Sequence, residues 1–470
     1  MRPLEILILA VAGLWFLLPG ITRRRGIRQG VGLLLAMTVP WQLAIEGYRW
    51  QMVPAYVVAA GIGLVTWWEF IGPPEGFTAP RRSQGVGKAL GGLLGVTAIA
   101  LPIVLPIPRL PMPAGEFKVG TFSMQLVDDD RVETYGPSPG IRREVMMQVF
   151  YPADPADGAE TGPWIEDLDA VGSGLASYLD LPSFSFDHLK LTDTHTYPNA
   201  PVADALAEYP IVVYSHGWRG FRTVNFNQAE TLASEGYVVV TIDHTYASTM
   251  TVFPGDREVA IDPDALPNED RVGTTRFLEA GAALIDVMAD DLDFVLDELA
   301  NIDRGTRPTL LSSRLDLNSI GLFGHSLGGG AVVEFCATDF RCKAGIGFDP
   351  WVEPVDETII ASGLRVPFAF VRSEEWTAKD NDEVLQTLFR NGRDQQYLQS
   401  ISGTEHRDFV FSPLLSPVGG FIGIQGSIDS ARLIEILDDE LTGFFGQHLR
   451  GEDLRFPRFM QEQYGEIAAS

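Results

Sequence analysis

Cysteine and lysine are the scarce residues of this chain, with two of the first and five of the second in 470 positions. Two cysteines exclude a disulfide-built scaffold and any multi-cysteine zinc module. Positive charge is short as well: 35 Lys and Arg face 62 Asp and Glu, a formal net charge of −27. That balance argues against a nucleic-acid partner, which needs basic patches to meet phosphate backbones. There is no internal repeat and no low-complexity tract. With 46% apolar and 21% charged residues the composition is globular rather than disordered. The length suits two or three structural units.

The charge is unevenly spread. Residues 1–110 hold ten basic and four acidic residues, a net of +6, and residues 111–470 hold the other twenty-five and fifty-eight, a net of −33. The chain therefore reads as two domains, 1–110 and 111–470. The first contains four apolar stretches, at 3–20, about 30–46, 52–71 and about 89–108. Each is near the roughly 20 residues a helix needs to cross about 30 Å of hydrocarbon. Trp41, Tyr48, Trp50, Trp67 and Trp68 sit near the ends, where amphipathic rings favour the interface. The second stretch is short and contains Pro40. A signal peptide competes for the first, but Arg23, Arg24, Arg25 and Arg28 follow its apolar core rather than precede it. The expectation is a membrane-embedded, multi-pass domain of about four helices.

The loops 21–29 and 72–88 carry most of the positive charge and should face the cytoplasm. Four spans then put residues 111–470 outside the cell membrane; three would put them inside. Cys336 and Cys342, six positions apart, could form a disulfide in an oxidising compartment or remain two free thiols.

Residues 111–470 alternate strand and helix patterns. Strands are expected at 146–151, 211–214, 237–242, 319–323, 344–348, 366–371 and 397–400, and helices at 224–235, 282–300 and near 427–448. In the second helix Leu284, Met288, Leu292, Val295 and Leu299 fall on one face, and its acids read as a solvated opposite face. Strands separated by helices imply a mostly parallel sheet flanked by helices, as in the α/β-hydrolase fold. Residues 153–205 and 251–281 read as loop-rich insertions that shape a substrate site.

G-x-S-x-G occurs twice. Gly136-Pro137-Ser138-Pro139-Gly140 has prolines on both sides of its serine and precedes a strand, so it reads as a turn. Gly324-His325-Ser326-Leu327-Gly328 follows a strand and enters a helix, the context of a nucleophile elbow. A serine hydroxyl needs a base oriented by an acid, in the chain order Ser, Asp or Glu, His. Of the two later histidines, His448 lies in the last helix pattern, while His406 sits in a loop after a strand. Asp349, one residue past the strand AGIGF, is the candidate acid, ahead of Asp339, Glu353, Asp356 and Glu357. The oxyanion donors would be the N–H of Leu327 and, after IVVYSHG, that of Trp218. His216 and His325 read as packing residues. The triplet Asp128-Asp129-Asp130 reads as a surface loop rather than a calcium site; neither metal nor organic cofactor is expected.

PIVVYSHGWRGFRT, IGLFGHSLGGGAV, AGIGFDPWVEPV and GTEHRDF, in this order, resemble the platelet-activating factor acetylhydrolase family of secreted or type II enzymes. The stretch LASYLDLPSFSFDHLKLTDTHTYPNAP is similar to the segment before that family's oxyanion strand, and the likeness runs from about 145 to 448. It implies an α/β-hydrolase with Ser326 as nucleophile, Asp349 as acid, His406 as base and Trp218 and Leu327 as oxyanion donors. It also implies cleavage of short or oxidised sn-2 acyl chains from phospholipids without calcium. Trp218 stands where the family has a smaller apolar residue, and the membrane domain is a departure from the secreted enzymes. Polyester hydrolases and dienelactone-hydrolase-like proteins share the elbow but match the other motifs less well.

The expected function is a membrane-anchored serine ester hydrolase acting on a lipid or small ester. A generic carboxylesterase and an acyltransferase with the same triad are the alternatives, and a silent membrane sensor is the reading an intact triad opposes.

Overall fold

The computed structural model describes residues 1–17, 24–72, 83–137, 140–393 and 395–469. It divides into two units. One is Met1–Pro108 with Phe184–Leu191 and Leu415–Val418; the other is Arg109–Ser183, Thr192–Leu414 and Gly419–Ser470. The two short segments of the first unit come from stretches that the sequence reading assigned to the hydrolase.

The first unit contains helices α1 (Pro3–Leu17), α2 (Arg25–Ile45), α3 (Val53–Ile71) and α4 (Ser83–Val104). Ile8, Leu35, Met52, Ala55, Ala59, Ile62 and Ala98 form its narrow core. Gly32 lets α2 approach α3, since a Cβ there would fall 2.2 Å from the Thr66 hydroxyl. Arg49 forks the buried Glu5 carboxylate at 2.8 and 2.9 Å, and the Trp50 indole N–H donates to the Ser185 carbonyl at 3.1 Å. Large apolar side chains point outward, among them Trp41 (65% exposed), Leu64 (65%) and Phe70 (76%).

The expectation of about four membrane-crossing helices is corrected here. Among the described residues one helix, Trp50–Ile71, is long and apolar enough to cross a membrane; Pro3–Trp15 and Gly91–Val104 are apolar but shorter. Helix α2 has the length, but it contains Pro40 and the polar Arg25, Arg28, Gln29 and Gln42. Arg23, Arg81 and Arg82, which carry much of the charge in the two basic loops, lie outside the described residues.

The second unit is built on twelve strands: β1 (Lys118–Val132), β2 (Arg142–Ala153), β3 (Thr196–Pro198), β4 (Tyr209–Ser215), β5 (Val238–Asp243), β6 (Met250–Phe253), β7 (Arg257–Ala260), β8 (Leu315–His325), β9 (Cys342–Phe348), β10 (Phe368–Ser373), β11 (Gln396–Ile401) and β12 (Ile467–Ala469). Ten form one sheet in the order β12-β11-β10-β9-β8-β4-β5-β2-β1-β3, while β6 and β7 make a separate hairpin. The six strands from β11 to β5 in that order run parallel, with β2 and β12 antiparallel beside them. Every residue of β4 and β5 is buried, as expected for β-branched strands covered on both faces. Flanking helices include α5 (Leu168–Tyr178), α6 (Phe226–Ser234), α7 (Thr274–Asp303), α8 (Leu327–Thr338) and α9 (Ser430–Leu449); α7 packs on α8 and α6 on α9.

Two details depart from the sequence reading. Asp128-Asp129-Asp130 lies in β1, not in a loop, and Asp128 pairs with Arg131 at 2.6 Å. Asp291, placed by its spacing on a solvated helix face, is fully buried and forked by Arg143 at 3.0 and 2.6 Å. Cys336 and Cys342 are joined in a disulfide that ties the end of α8 to the start of β9. Ser138 and Pro139 of the first G-x-S-x-G lie outside the described residues.

Candidate active site

Strand β8 ends at His325 and α8 begins at Leu327, so Ser326 alone makes the turn. Its φ of 55° is one that L residues rarely adopt. The turn is possible because its neighbours lack side chains. A Cβ on Gly324 would sit 2.4 Å from the Gly328 carbonyl oxygen, and one on Gly328 would sit 2.3 Å from the Ser215 carbonyl oxygen. The Ser326 N–H donates to the Phe348 carbonyl at 3.0 Å, and its carbonyl accepts from the Trp351 N–H at 2.9 Å. Together these contacts fix the strained turn and lift the Ser326 hydroxyl off the sheet.

Asp349 follows the last residue of β9, and His406 opens a helical turn after β11. The fold brings them to Ser326 in a single row. The Ser326 hydroxyl is 3.0 Å from His406 Nε2, and His406 Nδ1 is 3.0 Å from Asp349 Oδ2. Asp349 is fully buried and also accepts from the Ser373 N–H and hydroxyl, each at 2.6 Å. These contacts restrain its carboxylate beside the imidazole.

His406 is held from four directions. Its N–H donates to Glu375 at 3.0 Å. Its carbonyl accepts from His325 Nε2 at 3.0 Å. The Trp376 indole stacks on its ring, and the His325 ring lies 4.5 Å from it. Burial pushes the Asp349 carboxyl up to about 7, against the pull of the Ser373 donors, and draws His406 down to about 4. Because the two groups share a hydrogen bond they titrate as a pair, which carries one extra proton between those values and loses it near the upper one.

Trp218 lies just past β4. Neither its N–H nor that of Leu327 has an acceptor among the described residues, so both remain available for a developing oxyanion. The intervening backbone packs tightly: a Cβ on Gly217 would touch Ser326 Cβ at 3.0 Å. His216 donates from Nδ1 to the Gly217 carbonyl at 2.7 Å. Its Nε2 accepts from the His244 N–H at 3.2 Å and faces the Ser248 hydroxyl at 2.7 Å. Burial draws its imidazole down to about 3, so the ring is neutral. The Gly217 carbonyl and the Trp218 N–H belong to one peptide plane, so a bond to the first fixes the direction of the second.

Behind this loop lies a second row, Ser215–His244–Asp291, with contacts of 3.0 and 2.9 Å. All three residues are fully buried, so substrate does not reach them. This row backs the loop that carries Trp218. An open depression of about 550 Å³ elsewhere on the unit is lined by Asp286, Asp290, Asp293, Glu334 and Asp339 and contains none of the residues of the Ser326 row. His448, the alternative base, hydrogen-bonds Tyr397 at 3.2 Å.

Sequence reasoning missed Ser373, Glu375 and Trp376, and it took His216 and His325 for simple packing. No local pattern marks these three residues, because they reach the site through the pairing of β10 with β9 and β11.

The mostly parallel sheet, the strand–turn–helix at Ser326 and the relatives of the chain make it an ester hydrolase with an α/β-hydrolase-like fold. Residues 106–456 match the family described as platelet-activating factor acetylhydrolase, isoform II, and the chain belongs to that family. It is 24% identical over 339 residues to a platelet-activating factor acetylhydrolase of Canis lupus familiaris, covering 64% of this chain and 71% of the relative. It is 25% identical over 423 residues to a protein of Arthroderma benhamiae named as a probable 1-alkyl-2-acetylglycerophosphocholine esterase, covering 80% and 98%. A ferulic acid esterase from Streptomyces cinnamoneus superposes with a TM-score of 0.62 at 25% identity, covering 77% of this chain and 99% of that one. The family match begins at residue 106, which leaves α1–α4 outside it.

Proposed function

We propose that the chain is a membrane-anchored serine esterase working through an acyl-enzyme. The observation that carries this reading is the unbroken row from the Ser326 hydroxyl through His406 to Asp349, at 3.0 Å per step. Ser326 Oγ attacks the ester carbonyl while His406 Nε2 takes its proton. The carbonyl oxygen, now negative, is held by the Trp218 and Leu327 N–H groups. His406 returns the proton to the leaving alcohol as the ester bond breaks. Water, deprotonated by the same nitrogen, then cleaves the acyl-serine. Labelling of the purified protein by a fluorophosphonate, abolished in Ser326→Ala together with hydrolysis, tests this. Full esterase activity in Ser326→Ala would sink it.

The relatives' names favour an acetyl or other short sn-2 acyl chain on a phospholipid as the substrate. The ferulic acid esterase neighbour favours a second reading, a small carboxylic ester. A panel comparing soluble aryl esters with phospholipids bearing acetyl, oxidised or long sn-2 chains separates them. Hydrolysis of the soluble esters alone rejects the phospholipid reading. Product analysis with added alcohols separates a hydrolase from an acyltransferase.

The anchor is supported by α3 and by the apolar side chains that the helical unit turns outward. The hydrolase unit is proposed to lie outside the cytoplasm, a placement supported by the Cys336–Cys342 disulfide. A reporter fused after residue 110 that reads as cytoplasmic would reject this placement.

A further inference from the structure

The residue after the Trp218 oxyanion donor is an arginine in a conformation usually left to glycine. Arg219 has a φ of 64°. Its N–H donates to the Ala247 carbonyl at 2.9 Å, and its carbonyl accepts from the Thr249 hydroxyl. The next residue is fixed as well, since the Gly220 N–H donates to the Gly217 carbonyl at 2.9 Å and the Thr249 N–H to the Gly220 carbonyl at 2.8 Å. The backbone is therefore over-determined, and it aims the Arg219 side chain in one direction. Its guanidinium carbon lies 4.1 Å from the centroid of the Tyr178 ring at the end of α5. That ring is half exposed.

The guanidinium has no carboxylate and no hydrogen-bond acceptor among the described residues. This is unusual for its surroundings. Residues 111–470 carry a net charge of −33, and other arginines of this unit are heavily engaged. Arg222 bonds Asp243, Glu166 and Asp167, and Arg341 bonds Asp293, Asp297 and Asp339. Arg219 instead presents a partly exposed cation one peptide from an oxyanion donor, on a loop that packs against Ser326. Stacking on an aromatic face limits its freedom without consuming its N–H donors. A planar fork held in this way suits two oxygens of one phosphate. The field of the surrounding domain repels anions, so an anionic substrate gains from a cation on the loop that packs against Ser326.

We propose that Arg219 is a specificity residue that binds a phosphate on the alcohol side of the ester, favouring phosphate-bearing over neutral esters. The proposal rests on reading the Ser326 site as an esterase. The test uses the full-length protein and three acetyl esters, whose alcohols are glycerol 3-phosphate, glycerol and 3-hydroxypropanoate. Arg219→Asn removes the cation but tolerates the left-handed backbone; Arg219→Lys keeps the charge without the fork. The expected result is a ratio of kcat/KM for the phosphate ester over the glycerol ester that falls about tenfold or more in Arg219→Asn. Arg219→Lys should recover part of it. Inorganic phosphate, titrated by calorimetry, should bind the wild type and bind Arg219→Asn more weakly by a similar factor. An unchanged ratio, a parallel fall on all three esters, or a fall confined to the carboxylate ester overturns the proposal. Phosphate binding needs no turnover. Loss of binding in Arg219→Asn with no ester hydrolysed by the wild type would sustain Arg219 and reject the esterase reading.

Discussion

The indole of Trp376 lies flat on the imidazole of His406, with ring centroids 4.1 Å apart and planes 10° from parallel. The His325 ring lies 4.5 Å from the same imidazole, and its Nε2 reaches the His406 carbonyl. On the proposed mechanism His406 must keep its orientation through two proton transfers, and stacking provides this without occupying either ring nitrogen. Trp376→Ala is expected to lower kcat about tenfold with KM little changed, and Trp376→Phe should recover most of the loss. An unaltered kcat in Trp376→Ala would remove the positioning role.

The dependence of kcat/KM on pH follows from the proton inventory of the Asp349–His406 pair. On the proposed mechanism His406 accepts a proton only when the pair carries none in excess, so activity should rise with pH as the pair loses its proton near 7. The charge of Glu375 favours the protonated forms of both partners. Glu375→Gln should therefore move the acidic limb to lower pH while keeping an acceptor for the His406 N–H. The Ser373 hydroxyl acts in the opposite sense, since it stabilises the ionised carboxylate. Ser373→Ala should move the limb to higher pH and lower the plateau about tenfold. Limbs that coincide in all three proteins would contradict this account.

Much of this site is legible from local patterns. The runs IVVY and YVVVTI are apolar without period, as strands buried on both faces are, and they become β4 and β5. The strand–turn–helix around Ser326 distinguishes it from the serine between two prolines. Asp349 stands out because it directly follows a strand. Ser373, Glu375 and Trp376 are not legible in this way. Their meeting with Asp349 and His406 depends on β10 lying between β9 and β11, which is a long-range pairing rather than a local pattern. Asp291 misled for a similar reason. Helical spacing assigns it a face, but the arginine that buries it arrives from β2, 148 residues away. The helices at the N-terminus show the limit of hydropathy windows, which found four apolar stretches but could not tell a full crossing from a shorter apolar segment.

The Cys336–Cys342 bridge closes a loop of six residues between α8 and β9, the elements that follow Ser326 and precede Asp349. On the chain-entropy account such a short loop is worth about 2–3 kcal/mol. Replacing both cysteines by serine should lower the midpoint of thermal unfolding by several degrees, and reductant should lower that of the wild type alone. Equal midpoints with and without reductant would show that the bridge does not stabilise the fold.

His216 offers the sharpest test of the oxyanion loop, because it touches neither the row of Ser326, His406 and Asp349 nor the two donor N–H groups. Its Nδ1–H bond to the Gly217 carbonyl fixes the peptide that carries the Trp218 N–H. Without it the Gly220 N–H is the remaining restraint on that carbonyl, and the Trp218 N–H is held less firmly toward the oxyanion. His216→Leu should lower kcat by about tenfold or more, approaching the roughly hundredfold scale for losing one donor of such a hole outright. His216→Asn can donate from its amide and should retain more activity. The affinity of a boronic acid analogue should fall in step with kcat/KM, while substrate KM changes little, since only the tetrahedral state develops the charge. If boronate affinity is unchanged while kcat falls, the defect lies elsewhere, for instance in the buried Ser215–His244–Asp291 row behind the loop.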